Sequence, residues 1–219
     1  MAYVLGFICA DGAVYRSSRG NYLSITSTDE AIVWAIKKAM GAEHPVKTLL
    51  SRGVYNRKTQ FGLRIGCAAI YRDLSRLGVY PSKSLTLRLP NIPPEFLGSF
   101  TRGYFDGDGC VHLQRSAGKS KPIILRKLSV IFTSGSKLFL EGLLVALRKE
   151  IDLRQSKIYI SHRSFQLRLN TGDSVSLFSL MYAETANTLF LKRKYMVFEN
   201  YFRERAVRID KAVQNALRW

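Results

Sequence analysis

Cysteine is scarce in this chain, and the three present exclude two common architectures. Cys9, Cys67 and Cys110 are odd in number, far apart and without a CxxC pair, so neither a disulfide framework nor a zinc site is legible. They read as reduced thiols used in packing. The three histidines, His44, His112 and His162, are equally scattered, which removes the other usual zinc ligand. No apolar run approaches the ~20 residues of a membrane-spanning helix. The first ten residues have no basic n-region of a secretory signal, and Asp11 interrupts their apolar stretch. These absences place the protein inside the cell, cytoplasmic in a prokaryote and otherwise organellar. Acidic residues are also few: 16 Asp and Glu against 34 Lys and Arg leave a net charge of +18 over 219 residues. That surplus favours a polyanionic partner, nucleic acid before an anionic membrane surface. What is plentiful is apolar material, 47% of residues, enough to bury a sizeable core in one large domain or two small ones.

The chain reads as two copies of one pattern. Residues 4–12 are Val-Leu-Gly-Phe-Ile-Cys-Ala-Asp-Gly, and 97 residues later 101–109 are Thr-Arg-Gly-Tyr-Phe-Asp-Gly-Asp-Gly. After the first motif, two alternating stretches around a turn at 19–21 form a hairpin, its second strand at 22–26. A helix is expected over 29–40 with Thr28 or Asp29 as its cap. Strands at 46–52 and 60–66 follow, about a polar loop at 54–58, and then a helix over 68–77 stopped by Gly78. The second half repeats the order: a hairpin of 110–115 and 126–133 with a longer basic tip, a helix over 136–149, strands at 156–161 and 165–170, and a helix over 173–181. Phe-Gly-Leu-Arg-Ile (61–65) matches Phe-Gln-Leu-Arg-Leu (165–169) almost residue for residue. The fold class is α+β, two αββαββα repeats. The first takes residues 1–80, a Pro-rich linker 81–94, and the second repeat, with a C-terminal helix, 95–219. Pro93-Pro94-Glu95 suits a helix's first turn.

Both motifs read as helices that end on Asp-Gly, although a helix C-terminus already carries partial negative charge. Gly6 and Ala10 share one helix face, as do Gly103 and Gly107, so two backbones can approach closely there. Parallel packing of the two helices would bring Asp11 and Asp108 together. Gly12 and Gly109 as ordinary C-terminal caps explain the glycines but not the acids. Divalent cations would relieve the repulsion.

The paired motifs and the repeated element order resemble the LAGLIDADG homing endonucleases of the single-chain, two-repeat type, over essentially all residues. The resemblance implies that the motif helices form the interface between pseudo-symmetric halves. It also implies a four-stranded antiparallel sheet in each half, the two forming a DNA-binding saddle. It assigns Asp11 and Asp108 as catalytic, metal-holding acids, with Gly12 and Gly109 in the metal site and Mg²⁺ as the cofactor. Mn²⁺ or Ca²⁺ could substitute in binding. Cys9 and Asp106 occupy the motif's variable acidic position, and Asp106 is expected to be structural. A lysine after the last helix of each repeat matches Lys83 in the first half and Lys192 or Lys194 in the second, to steady the scissile phosphate or clamp the backbone. Where many relatives carry Gln at the end of the second strand, this chain has Ser27 and Ser134. No motif residue offers a side-chain general base, which fits a metal-activated or solvent-relayed proton. The implied activity is an intron-encoded, monomeric endonuclease making a staggered double-strand break in a long pseudo-palindromic target. An intron-RNA splicing maturase and a catalytically inactive DNA-binding regulator are the other roles considered for this fold.

Strand parity then separates core from DNA face. Phe61, Leu63 and Ile65, like Phe165, Leu167 and Leu169, point inward and leave Arg64, Gln166 and Arg168 outward. Counting from each acid puts Ala13, Tyr15, Ser17 and Arg19 outward, and correspondingly Cys110, His112, Gln114 and Ser116. Tyr22, Ser24 and Thr26, with Lys127 and Ser129, complete the face, and Arg52 is the basic candidate on the third strand. Arg and Gln suit base edges in the major groove, whereas Lys suits phosphate. The segment 195–219, with Arg203, Arg205, Arg208, Lys211 and Arg218, could clamp the backbone or pack on the second half.

Overall fold

Two apolar helices set the frame. In α1 (Ala2–Asp11) Tyr3, Val4, Gly6, Phe7, Ile8 and Cys9 are all buried, as in a helix wrapped on several sides. Its counterpart, α4 (Pro94–Asp108), begins on a proline whose missing N–H is unneeded in a first turn, and it buries every residue from Phe100 to Asp106. A computed structural model describes residues 1–49, 58–116, 124–183 and 189–205. In it the two helices cross through their small residues. A Cβ placed on Gly6 would stand 2.0 Å from the Phe100 carbonyl oxygen, and one on Gly103 would stand 2.0 Å from that of Tyr3. Tyr3 and Phe100 hold equivalent motif positions, so the two contacts are related by a twofold axis. Nearer the C-terminal ends, a Cβ on Gly107 would lie 2.4 Å from that of Ala10.

Each helix leads directly into a sheet. After α1 come β1 (Gly12–Ser17), β2 (Gly20–Ser27), α2 (Glu30–Ala39), β3 (Val46–Leu49), β4 (Gln60–Gly66) and α3 (Ala68–Arg76). After α4 come β5 (Gly109–Ser116), β6 (Ile124–Ser134), α5 (Lys137–Glu150), β7 (Lys157–Ser161), β8 (Ser164–Leu169) and α6 (Thr171–Tyr182), with α7 (Lys192–Glu204) added. Both sheets are antiparallel, with strand orders β1-β2-β4-β3 and β5-β6-β8-β7. The shared order makes the internal repeat structural. Leu23, Ile25, Leu63 and Ile65 of the first sheet and Leu128, Val130, Phe132, Leu167 and Leu169 of the second join α1 and α4 in one core. Among the described residues no helix is long and apolar enough to cross a membrane.

The structure sharpens four local expectations. Asp29 occupies the N-cap of α2 but makes no side-chain cap bond; its N–H donates instead to Ser27 Oγ at 3.1 Å. α6 starts at Thr171, two residues early, because Asn170 Oδ1 accepts from the Asp173 N–H at 2.9 Å. Asp173 is instead buried, and it accepts from the N–H groups of Arg154 and Gln155 and from the Ser156 hydroxyl. The Pro-rich join is no plain linker. It contains a 3₁₀ turn, Lys83–Leu85, and a buried Leu87 whose carbonyl accepts from Ser136 Oγ at 2.6 Å. α7 packs on the second half: Tyr195, Phe198 and Phe202 place their rings against Phe178 of α6. Arg208, Lys211 and Arg218 lie outside the described residues.

Candidate functional site

The two motif helices end without a connecting loop. Gly12 (φ −79°, ψ 143°) and Gly109 (φ −88°, ψ 155°) are extended, so they are not left-handed caps. Glycine is needed for closeness: a Cβ on Gly12 would lie 2.7 Å from the Ile8 Cα, and one on Gly109 would lie 2.4 Å from Phe105 Cδ2. The chain therefore turns from helix to strand within one residue, with Asp11 and Asp108 on the last helical residues.

Both acids keep solvent exposure. They are close enough for the Asp11 charge to oppose ionisation of Asp108. Burial first, and then the Asp11 charge, raises the Asp108 carboxyl to about 6, while Lys83 and Lys194 pull it back. Burial also raises Asp11, against the pull of Lys194, Lys83 and Arg193. The lysines are placed symmetrically. Buried Lys83 donates from Nζ to the Gly12 carbonyl at 2.5 Å, and buried Lys194 donates to the Gly109 carbonyl at 2.5 Å. Lys194 also reaches the carbonyls of Phe105 (2.6 Å) and Asp106 (2.9 Å), at the negative end of the α4 dipole. Burial lowers both lysines, Lys194 to about 8. Lys192 is exposed at the start of α7 and is not brought to this cluster.

The donor set fits a hard divalent cation: two carboxylates facing solvent, with raised pKa values that a cation would relieve. The Gly12 and Gly109 carbonyls point into the same cluster but already accept from the lysines. Among the described residues no group of three or more His, Cys, Asp or Glu side chains gathers for metal binding. Further ligands for a cation at the two acids would have to come from backbone, water or substrate oxygens.

Beyond the acids, the outer sheet faces carry the polar residues placed there by parity. On the first, Tyr15, Ser17, Tyr22, Ser24, Thr26 and Arg64 point away from the core. Arg19 sits in the two-residue turn between β1 and β2 rather than on a strand. Arg52 lies outside the described residues. On the second, His112, Gln114, Lys127, Ser129, Gln166 and Arg168 take the same side. Each arginine of the repeated Phe-x-Leu-Arg stretch lies over tyrosine. Arg64 is 4.1 Å from the Tyr22 ring and 5.4 Å from that of Tyr15, and Arg168 is 5.0 Å from the Tyr159 ring. Gln166 Oε1 also accepts from Arg168 Nε at 3.0 Å and from Nη2 at 2.8 Å, which fixes the guanidinium plane. Sequence reasoning missed Tyr159, which the outward parity of β7 beside Gln166 could have supplied. It also missed Leu49, which fills the space above Gly62 on the outer face.

Comparisons with known proteins agree with this fold. Residues 95–179 match the model of a LAGLIDADG-like domain. The homing endonuclease I-DmoI in complex with DNA and calcium is similar in fold, with a TM-score of 0.59 and 14% identity, over 90% of this chain and 96% of that one. The meganuclease I-SmaMI bound to uncleaveable DNA is similar too, with a TM-score of 0.59 and 13% identity, over 98% and 93%. A probable translation initiation factor IF-2 from Methanocaldococcus jannaschii is 30% identical over 171 residues. The match takes in 75% of this chain but spans only 12% of that protein.

Proposed function

From a chain that belongs to the two-repeat LAGLIDADG proteins, by sequence in its second repeat and by fold throughout, we propose a divalent-metal-dependent, site-specific DNA endonuclease acting as a monomer. One observation carries the reading: a matched pair of acids and a matched pair of buried lysines meet where the two motif helices end. Asp11 and Asp108 would hold Mg²⁺, which when bound supplies Lewis-acid stabilisation at phosphoryl oxygens and a more acidic water.

The remaining work falls to the chain. Lys194, with its pKa at about 8, is largely protonated at neutral pH and acts as a donor rather than a base. With Lys83 it places positive charge beside both acids, where a phosphodiester gains negative charge as it is attacked. Neither motif brings a histidine, so no motif side chain is assigned as the general base. The sheet faces align the duplex, and their unlike residues suit unlike half-sites. A staggered break in a long, pseudo-palindromic target is the outcome proposed.

The test is cleavage of the chain's own genomic locus with the coding insertion removed, in Mg²⁺, against the interrupted locus. Only the uninterrupted DNA should be cut. Asp11→Asn and Asp108→Asn should each abolish double-strand cleavage while binding persists. Full activity in either variant removes the site assignment. Binding without cleavage by the unaltered protein under all divalent metals points to a DNA-binding regulator.

A further inference from the structure

The two halves differ at one buried position. Cys9 and Asp106 stand two residues before their respective catalytic acids, and both are buried, but only the second is charged. A carboxylate out of water is costly unless its oxygens are engaged. Asp106 engages one of them: Oδ2 accepts from the Leu191 N–H at 2.8 Å and from the Tyr3 hydroxyl at 2.8 Å, while Oδ1 is buried without a hydrogen-bond partner. Leu191 is the residue before α7, and its carbonyl accepts from the Lys194 N–H at 3.0 Å. Lys194 in turn donates from Nζ to the Asp106 carbonyl. Asp106 thus grips one turn of α7 at both ends, through its side chain at Leu191 and its main chain at the Lys194 ammonium. The first half works differently. Lys83 rides on a 3₁₀ turn introduced by Ser82 in the left-handed region (φ 57°).

We propose that Asp106 is a positioning residue, whose Oδ2 holds the start of α7 so that Lys194 presents its ammonium to the pair of acids at the helix ends. The task given to Lys194 rests on the endonuclease reading; the placement does not. The Tyr3 bond comes from α1, so the placement also depends on the seam between the two motif helices. A hydrogen-bond acceptor, not a metal ligand, is what the position requires.

Two readouts on the full chain test this. In pulse labelling with an amine-acylating reagent, read by mass spectrometry, Lys83 and Lys194 should both be protected. Asp106→Cys, which copies the first half, should raise Lys194 labelling about tenfold and leave Lys83 protected. Asp106→Asn keeps an acceptor oxygen and should leave Lys194 protected. With strand-labelled target DNA, Asp106→Cys should slow cleavage of one strand about tenfold and spare the other, so that nicked DNA accumulates. Asp106→Asn should cut both strands. An Asp106→Cys protein with Lys194 still protected overturns the proposal, as does an Asn variant that loses as much as the Cys variant. If Asp106→Cys also exposes Lys83, the fold itself has opened, and Leu191→Pro decides. Its backbone φ of −79° suits proline, which removes the donated N–H together with part of a buried side chain, so both changes act to release Lys194. Lys194 protected in that variant is again fatal. No cleavage by the unaltered protein would remove the endonuclease reading and leave the labelling outcome to judge the placement.

Discussion

Single residues at the helix ends work against the fold that carries them. The Asp108 carboxyl is raised from 3.8 to about 6, first by burial and then by Asp11. A folded pKa above the unfolded one means that the native state holds more protons in between, so stability falls as pH climbs through that window. The penalty is absent below about pH 4 and complete above about pH 6. Asp108→Asn removes it. Because the side chain is exposed, solvent screening reduces the effect to about 1 kcal/mol. That corresponds to a melting temperature ~2–4 °C higher for a chain of this size. Calorimetry in metal-free buffer should show the gain at pH 7.5 and its loss at pH 4; a variant less stable than the parent at pH 7.5 would contradict the repulsion. Both acids were readable from sequence because Asp-Gly closes each motif. The choice between Lys192 and Lys194 was not, since both stand within one helical turn and only contact with Phe105, Asp106 and Gly109 separates them.

Between elements, the crossing of α1 and α4 leaves the least room. A side chain on Gly6 or Gly103 would run into backbone, which cannot rotate away as a flexible side chain can. Gly6→Val and Gly103→Val should therefore each cost more than ~3 kcal/mol, enough to lose cooperative unfolding or soluble protein. Gly41→Ala should cost only ~1 kcal/mol, from its left-handed φ of +60°, because nothing lies within 4 Å. Chemical denaturation of the three variants checks the order, and equal losses would refute the packing argument. Small residues at four-residue spacing made this seam legible in advance, and strand parity did the same for the sheets, because both are periodic signals. The 3₁₀ turn that carries Lys83 has no period to read, and the close approach of Gly12 to Ile8 depends on how sharply the chain turns into β1. α7 showed helical spacing, but its partner was hidden. The aromatic residues of α6 that receive it are adjacent only in three dimensions.

For the molecule as a whole, charge and symmetry act together. A net charge of +18 gives long-range attraction to any polyanion, and on the proposed function the two outer sheet faces would give that attraction a direction. Their residues are not copies. The first face carries Tyr15, Tyr22 and Arg64 in one stack, and the second carries His112, Gln114, Lys127 and the Gln166–Arg168 pair. Phosphate contacts from both halves should make binding a counterion-release process. Six to ten such contacts would lower affinity by ~10³–10⁵ between 50 and 200 mM salt. Arg168→Ala should behave differently from Lys127→Ala. If the fixed guanidinium plane of Arg168 meets a base edge, as the proposed function has it, its loss relaxes sequence preference at one position, at a cost of ~1–3 kcal/mol for the preferred base. Losing a phosphate lysine weakens all sequences alike and reduces the salt slope by about one. Fluorescence anisotropy with Asp11→Asn protein, which should bind without cutting, separates the two over a salt series and a set of single-base target variants. A salt-independent affinity would remove the sheets as the phosphate-binding surface. Identical behaviour of the two variants would remove the division of labour between reading bases and holding phosphates.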